Sequence, residues 1–174
     1  MGRRATNCDT PLVVRERRRM ERIAFTPEDI GPIVTRMELL AASQDGWINL
    51  LPTDEDEETG PPRLGFFAMF GGGSIGVTMC TWIPGSLKHH GEALPSLGIA
   101  HNRGRRVFAE LQSGAAVIPD GWRVEQDHPR RGLIIRIPAD EPHEKVLRWA
   151  LRAVATVSRP GENCEWHANV YMPV

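Results

Sequence analysis

The chain has 174 residues and a formal net charge of −1. That is long enough for one domain with a sizeable core, and too nearly neutral for a global field that would draw in nucleic acid or an anionic membrane. Hydrophobic residues at 41% and charged residues at 25% match ordinary globular usage and exclude disorder throughout. The 21 basic residues include only two lysines, Lys88 and Lys145. With abundant Ala, Gly and Pro, this bias points to GC-rich bacterial coding, as in actinobacteria, so only the clustering of arginines is informative, not their number.

The arginine-rich start lacks the apolar run of a signal peptide, and no stretch approaches the ~18 apolar residues of a membrane span. Three cysteines, Cys8, Cys80 and Cys164, cannot all pair internally. A cytoplasmic protein with reduced thiols and no membrane contact is the expectation.

Residues 1–22 read as a basic flexible tail preceding a single α+β domain at 23–174. Seven arginines there oppose Asp9, Glu16 and Glu21, a local charge of +4, and Met20 offers an alternative translation start. No aromatic residue lies among these arginines to stack on bases, so a nucleic-acid role is disfavoured and would fall to this tail alone. Thr26-Pro27-Glu28-Asp29 has the composition of a helix start, and Ile30, Ile33, Val34, Met37, Leu40 and Ala41 follow at helical spacing to an end near Ser43–Gly46. Trp47–Leu51 reads as a short strand stopped by Pro52. The acids of residues 54–58 form a solvated loop, because adjacent carboxylates do not give the spaced ligands of a calcium loop.

Leu64–Phe70 and Ile75–Ile83 are strand-like runs joined by Gly71-Gly72-Gly73-Ser74. The second run is rich in strand formers and the turn lacks a P-loop ending, so a β-hairpin is expected rather than a phosphate cradle. Residues 84–101 look irregular. Asn102 could cap a helix carrying Val107, Phe108 and Leu111, ending near Gly114. Trp122–Gln126 and Leu133–Ile137 alternate with period two around His128-Pro129-Arg130-Arg131-Gly132, a second hairpin. Asp140 is placed to cap a last helix whose buried stripe is Val146, Leu147, Ala150, Leu151 and Val154. Cys164, Trp166, Ala168, Val170 and Met172 alternate in a terminal strand.

The order α-β-β-β-α-β-β-α-β implies an α+β two-layer sandwich, a mainly antiparallel sheet with helices packed on one face. Minus its last strand, this order resembles that of the type III secretion chaperone-like fold, a protein-binding fold. The likeness lies in element order and in no sequence motif.

Catalytic and metal signatures are sparse. His89, His90 and Glu92 could offer metal donors, but none of the strong ligand spacings occurs, and Cys164 and His167 would point to opposite faces of a strand. No cofactor is expected. Cys80 sits in an apolar run and reads as a core thiol. His101 and His128 are the candidate catalytic bases. The best cluster is basic: Arg103, Arg105 and Arg106 open the second helix, and Arg130 and Arg131 occupy the second hairpin turn. If they converge they form an anion site. Most of the five tryptophans should be core, with Trp149, beside its helix's stripe, a candidate interface anchor. The sequence favours a non-enzymatic, protein-binding or chaperone-like module with an arginine-lined site for an anionic partner or for self-association as a dimer. The alternative is a small enzyme using a histidine base and arginine clamps on an anionic substrate.

Overall fold

The computed structural model describes residues 18–53, 78–86, 93–101, 103–160 and 164–174. In chain order these form β1 (Arg18–Phe25), α1 (Gly31–Ser43), β2 (Trp47–Thr53), β3 (Met79–Ile83), β4 (Ser96–Ala100), α2 (Phe108–Ser113), β5 (Arg123–His128), β6 (Gly132–Arg136), α3 (His143–Ser158) and β7 (Glu165–Pro173). The seven strands make one sheet, order β1-β7-β2-β3-β4-β6-β5, with every pair antiparallel. The fold is therefore mixed α+β on an antiparallel sheet.

Side chains alternate across a pleated strand, so register decides which residues share a face. Ile48 lies between Trp82 and Val170, and Leu50 between Cys80 and Ala168. Leu97 faces Trp82 and Ile135, while Ile99 faces Cys80 and Leu133. All of these are at most 2% exposed. Ile33, Met37 and Leu40 from α1, and Val146, Leu147, Ala150, Val154 and Val157 from α3, join the same apolar cluster. On the alternate positions of the central strands, Thr81 Oγ1 donates to Asn49 Oδ1 at 2.8 Å, which satisfies two buried polar groups.

Several expectations are corrected. Arg18–Arg22, assigned to the tail, are the first five residues of β1, paired with β7 from Arg18↔Pro173 to Phe25↔Trp166. Ile23 and Phe25 point into the core while the arginines stay exposed. Charged side chains on an edge strand are compatible with pairing on its inner side and discourage it on the outer. Arg36 Nε and Nη2 fork onto Glu21 at 3.0 and 2.9 Å and tie β1 to α1. Arg18 bonds Asp45 at 2.8 Å and lies 4.9 Å from the centre of the Trp47 ring. The expected tail thus begins to be structure at Arg18, and residues 1–17 lie outside the described residues.

The irregular stretch 84–101 contains a fully buried central strand, β4. Its five residues and internal Gly98 are too short a signal for period two. Among the described residues the order is β-α-β-β-β-α-β-β-α-β, the expected order preceded by β1, with β4 a strand that the sequence reading did not place. Pro52 does not stop β2. It pairs with Trp166 on β7, while pairing with β3 ends at Leu50↔Cys80, so the missing N–H is tolerated. Helix α1 begins at Gly31 with Pro32 in its first turn, and Thr26–Asp29 is a separate turn closed by Asp29 N–H on Thr26 O at 3.1 Å. Helix α3 begins after Pro142, not at Asp140, because the residue before a proline is driven out of the helical region. The expected strand 64–70, residues 75–77 of its partner, the acidic loop 54–58 and Asn102 lie outside the described residues.

Trp149 is 1% exposed. Its Nε1 donates to Val117 O at 2.9 Å and its ring meets Trp122 edge-on at 5.2 Å, so it is a core anchor and not an interface residue. No described helix is long and apolar enough to cross a membrane.

If β1 is part of the core, Phe25→Ala should destabilise the fold by ~3–5 kcal/mol, the usual cost of deleting a buried Phe side chain. Chemical denaturation checks this, and a midpoint equal to wild type would return β1 to the tail.

Candidate functional site

The arginine-bearing end of the sheet is built where β4 leaves it. β4 ends at Ala100, the chain passes through His101 and Arg103–Val107, and α2 starts at Phe108. On the neighbouring strands the β5–β6 turn carries Pro129, Arg130 and Arg131. Gly132 closes that turn with φ +84°, and a Cβ there would stand 2.3 Å from Ile99 O. Only glycine fits both the left-handed backbone and this close approach to β4. The Val107 N–H donates to Asp127 Oδ1 at 3.1 Å, so the segment holding Arg103, Arg105 and Arg106 is tied to the strand that leads into Arg130 and Arg131. The structure brings the two arginine groups to one end of the sheet.

Glu110 of α2 is the hub. Arg105 Nη2 reaches its carboxylate at 2.9 Å, Arg103 Nη2 at 3.2 Å and Arg159 Nη2 at 3.5 Å. The Glu110 side chain is 16% exposed, against 60% for Arg105 and 72% for Arg159. Three guanidiniums therefore surround one sheltered carboxylate and leave the cluster cationic. Arg106, Arg130 and Arg131 are exposed. Sequence reading missed both Glu110 and Arg159. Arg159 follows α3 in the left-handed conformation, φ +53°, and only the packing of α3 against α2 brings it there.

The two candidate bases are engaged by backbone. His128 Nδ1 accepts the N–H groups of Arg130 and Arg131, both at 3.1 Å, and so shapes the turn that presents them. His101 is 6% exposed, and its Nδ1 accepts a long 3.5 Å contact from Arg103 N–H. That acceptor role puts the imidazole proton on Nε2. Nε2, like Arg103 Nε, is buried without a hydrogen-bond partner among the described residues. Burial lowers the His101 pKa and Arg103 lowers it further, while Asp127 and Glu110 pull it up.

His89, His90 and Glu92 lie outside the described residues. No group of three or more His, Cys, Asp or Glu among the described residues could hold a metal ion. Cys80 is wholly buried, and desolvation pushes its thiol up to about 12, which leaves no thiolate to act as a nucleophile at neutral pH. His167, on β7, has its pKa lowered by burial first and by Arg22 second. His143, which the sequence did not single out, is half-buried at the start of α3 and meets Trp82 edge-on at 5.5 Å.

No protein-family model, no curated protein and no solved structure matches this chain.

The lowered pKa of His101 makes a signed prediction. In the window just below the ordinary imidazole value of ~6.5 the unfolded chain binds more protons than the folded one, so stability falls as pH falls. His143 and His167 are shifted the same way. Glu21 and Glu141, whose pKa values are lowered chiefly by Arg36 and Lys145, add losses only at lower pH, from about 4.5 downward. The unfolding midpoint should therefore drop between pH 7 and pH 5, and His101→Gln should flatten that drop. An unchanged slope in His101→Gln would show that His101 is not held neutral.

Proposed function

We propose that this protein is a non-enzymatic binding module whose arginine-bearing sheet end docks an acidic segment of a protein partner. The observation that carries the reading is the Glu110 carboxylate held by Arg103, Arg105 and Arg159. It supports the view that guanidiniums here can gather on one carboxylate, and Arg106, Arg130 and Arg131 extend that chemistry to the surface. Arg presents a planar fork that matches carboxylate geometry. A chaperone-like role is the broader form of this proposal. It draws support from the contacts of α1 with β1 and β7, and of α3 with β2 and β3, which fit a two-layer arrangement with helices on one side of the sheet. A cytoplasmic setting suits an acidic protein partner, and self-association into a dimer is the competing use of the same surface.

In a binding assay with a labelled polyglutamate peptide, affinity should fall as salt rises, because exposed charge contacts are screened over ~10 Å at 0.1 M. Replacing Arg106, Arg130 and Arg131 together by Ala should weaken binding about tenfold, from three exposed pairs of ~0.5 kcal/mol each, with the fold intact. Glu110→Gln should tighten it, because Arg103 and Arg105 lose their internal carboxylate. Binding that ignores salt and all four substitutions would remove the site. Turnover of an anionic substrate that is lost in His101→Gln or His128→Gln would replace the binding module with the enzyme.

A further inference from the structure

The β5–β6 turn that presents Arg130 and Arg131 is fastened by side chains. Pro129 has no N–H, and it disfavours a helical conformation for His128, the residue before it. The first two N–H groups after His128 are therefore those of Arg130 and Arg131. Both meet one atom: His128 Nδ1 accepts them at 3.1 Å each. Gln126 Nε2 takes the carbonyl side, donating to Arg131 O and Gly132 O at 3.3 Å.

An imidazole nitrogen accepts a hydrogen bond only while it carries no proton. The two N–H donors at Nδ1 therefore fix the neutral ring with its proton on Nε2. In the imidazolium both nitrogens are donors, so no flip of the ring restores the acceptor. Proton uptake would set Nδ1–H against two amide hydrogens, and the turn must open or the ring must leave it. The other charged groups of this end fall into two sets. Register puts Asp127 opposite the core residue Leu133, and His128 opposite Gly132 on the other face of β5. The Asp127 carboxylate is taken by the Val107 N–H, and His101, with Arg103 and Glu110 around it, is coupled to Asp127 on that core side. Arg130 and Arg131 share the turn with His128 itself.

We propose that His128 is a proton-sensitive positioning residue for the arginine end: its neutral imidazole latches the turn that presents Arg130 and Arg131, and its protonation releases the turn and weakens the hold on an acidic partner. The effect on the partner rests on the binding reading above, whereas the latch stands on the turn alone. One more exposed positive charge gains about twofold in affinity. Reordering two released arginines on binding loses about tenfold. The net effect of protonation is a loss of about fivefold.

The test is a titration of the full chain from about pH 7.5 to about pH 5.5, the range in which histidine charge commonly changes, at a temperature where the fold persists. NMR follows the turn, and a labelled polyaspartate peptide, whose carboxylates stay ionised over that range, reports binding. The Arg130 and Arg131 amide signals should move with the same midpoint as the His128 ring carbons, and polyaspartate should bind about fivefold more weakly once that ring is protonated. His128→Asn places Oδ1 as many bonds from the backbone as Nδ1, and it accepts the same N–H groups without titrating. In that variant the two amide signals should hold still and the fivefold step should vanish. His101→Gln should keep both. Arg130 and Arg131 amides that do not follow the His128 ring, an equal step in His128→Asn, or a step removed by His101→Gln would each overturn the proposal. Polyaspartate that fails to bind even at the upper pH would overturn the binding reading and the effect on the partner, while the amide signals still decide the latch.

Discussion

β7 hydrogen-bonds to β1 on one side and to β2 on the other, so among the described residues the last strand lies between the first two. Everything on that half of the sheet depends on it. Trp166 faces both Phe25 and Pro52, Ala168 faces Ile23 and Leu50, and Val170 faces Glu21 and Ile48. Without β7, β1 would keep its contacts with α1 and those of Arg18 with Asp45 and Trp47, and the apolar side of β2 would lose one of its two neighbours. This long-range closure makes the sheet cooperative: its two halves share a single core, with α1 packed near β1 and β7 and α3 near β2 and β3. Chains that must bring their ends together before the sheet forms fold more slowly than those built from local contacts.

A second buried strand positions the candidate site. β4 is buried on every residue and is gripped by β3 and β6, so its two ends are fixed points. One end delivers His101 and the arginine segment beside the β5–β6 turn. At the other, Pro95 O accepts the Ile137 N–H at 3.0 Å. A buried central strand with the arginine segment at one end follows the common division of labour in which scaffold elements are buried and binding residues sit on the loops they hold.

Much of this was legible in the residues themselves. α1, α3, the β5–β6 hairpin and β7 each carry a sustained period, because each buries one face and exposes the other. β1 was hidden because Arg18, Arg19 and Arg22 outweigh the two inward residues Ile23 and Phe25, and an edge strand needs no more than that. β4 was hidden because a strand buried throughout does not alternate, and its Gly98 and the preceding Pro95 have the look of loop chemistry. Trp149 lies beside the apolar stripe of α3 but packs on Trp122 and on the Val117 carbonyl, partners that tertiary folding supplies. The arginine groups were visible by composition, yet their common location depends on Gly132 beside Ile99 and on Asp127 beneath Val107. The hub at Glu110 gave no signal at all, since one carboxylate among 22 acidic residues marks nothing.

Charge reversal measures the central functional claim most directly. With Arg106, Arg130 and Arg131 all changed to Glu, equilibrium binding of polyglutamate and of polylysine is compared with wild type. The account predicts that polyglutamate binding is lost and polylysine binding appears, with the unfolding midpoint little changed because all three side chains are exposed. Undiminished polyglutamate binding by the reversed protein would contradict it.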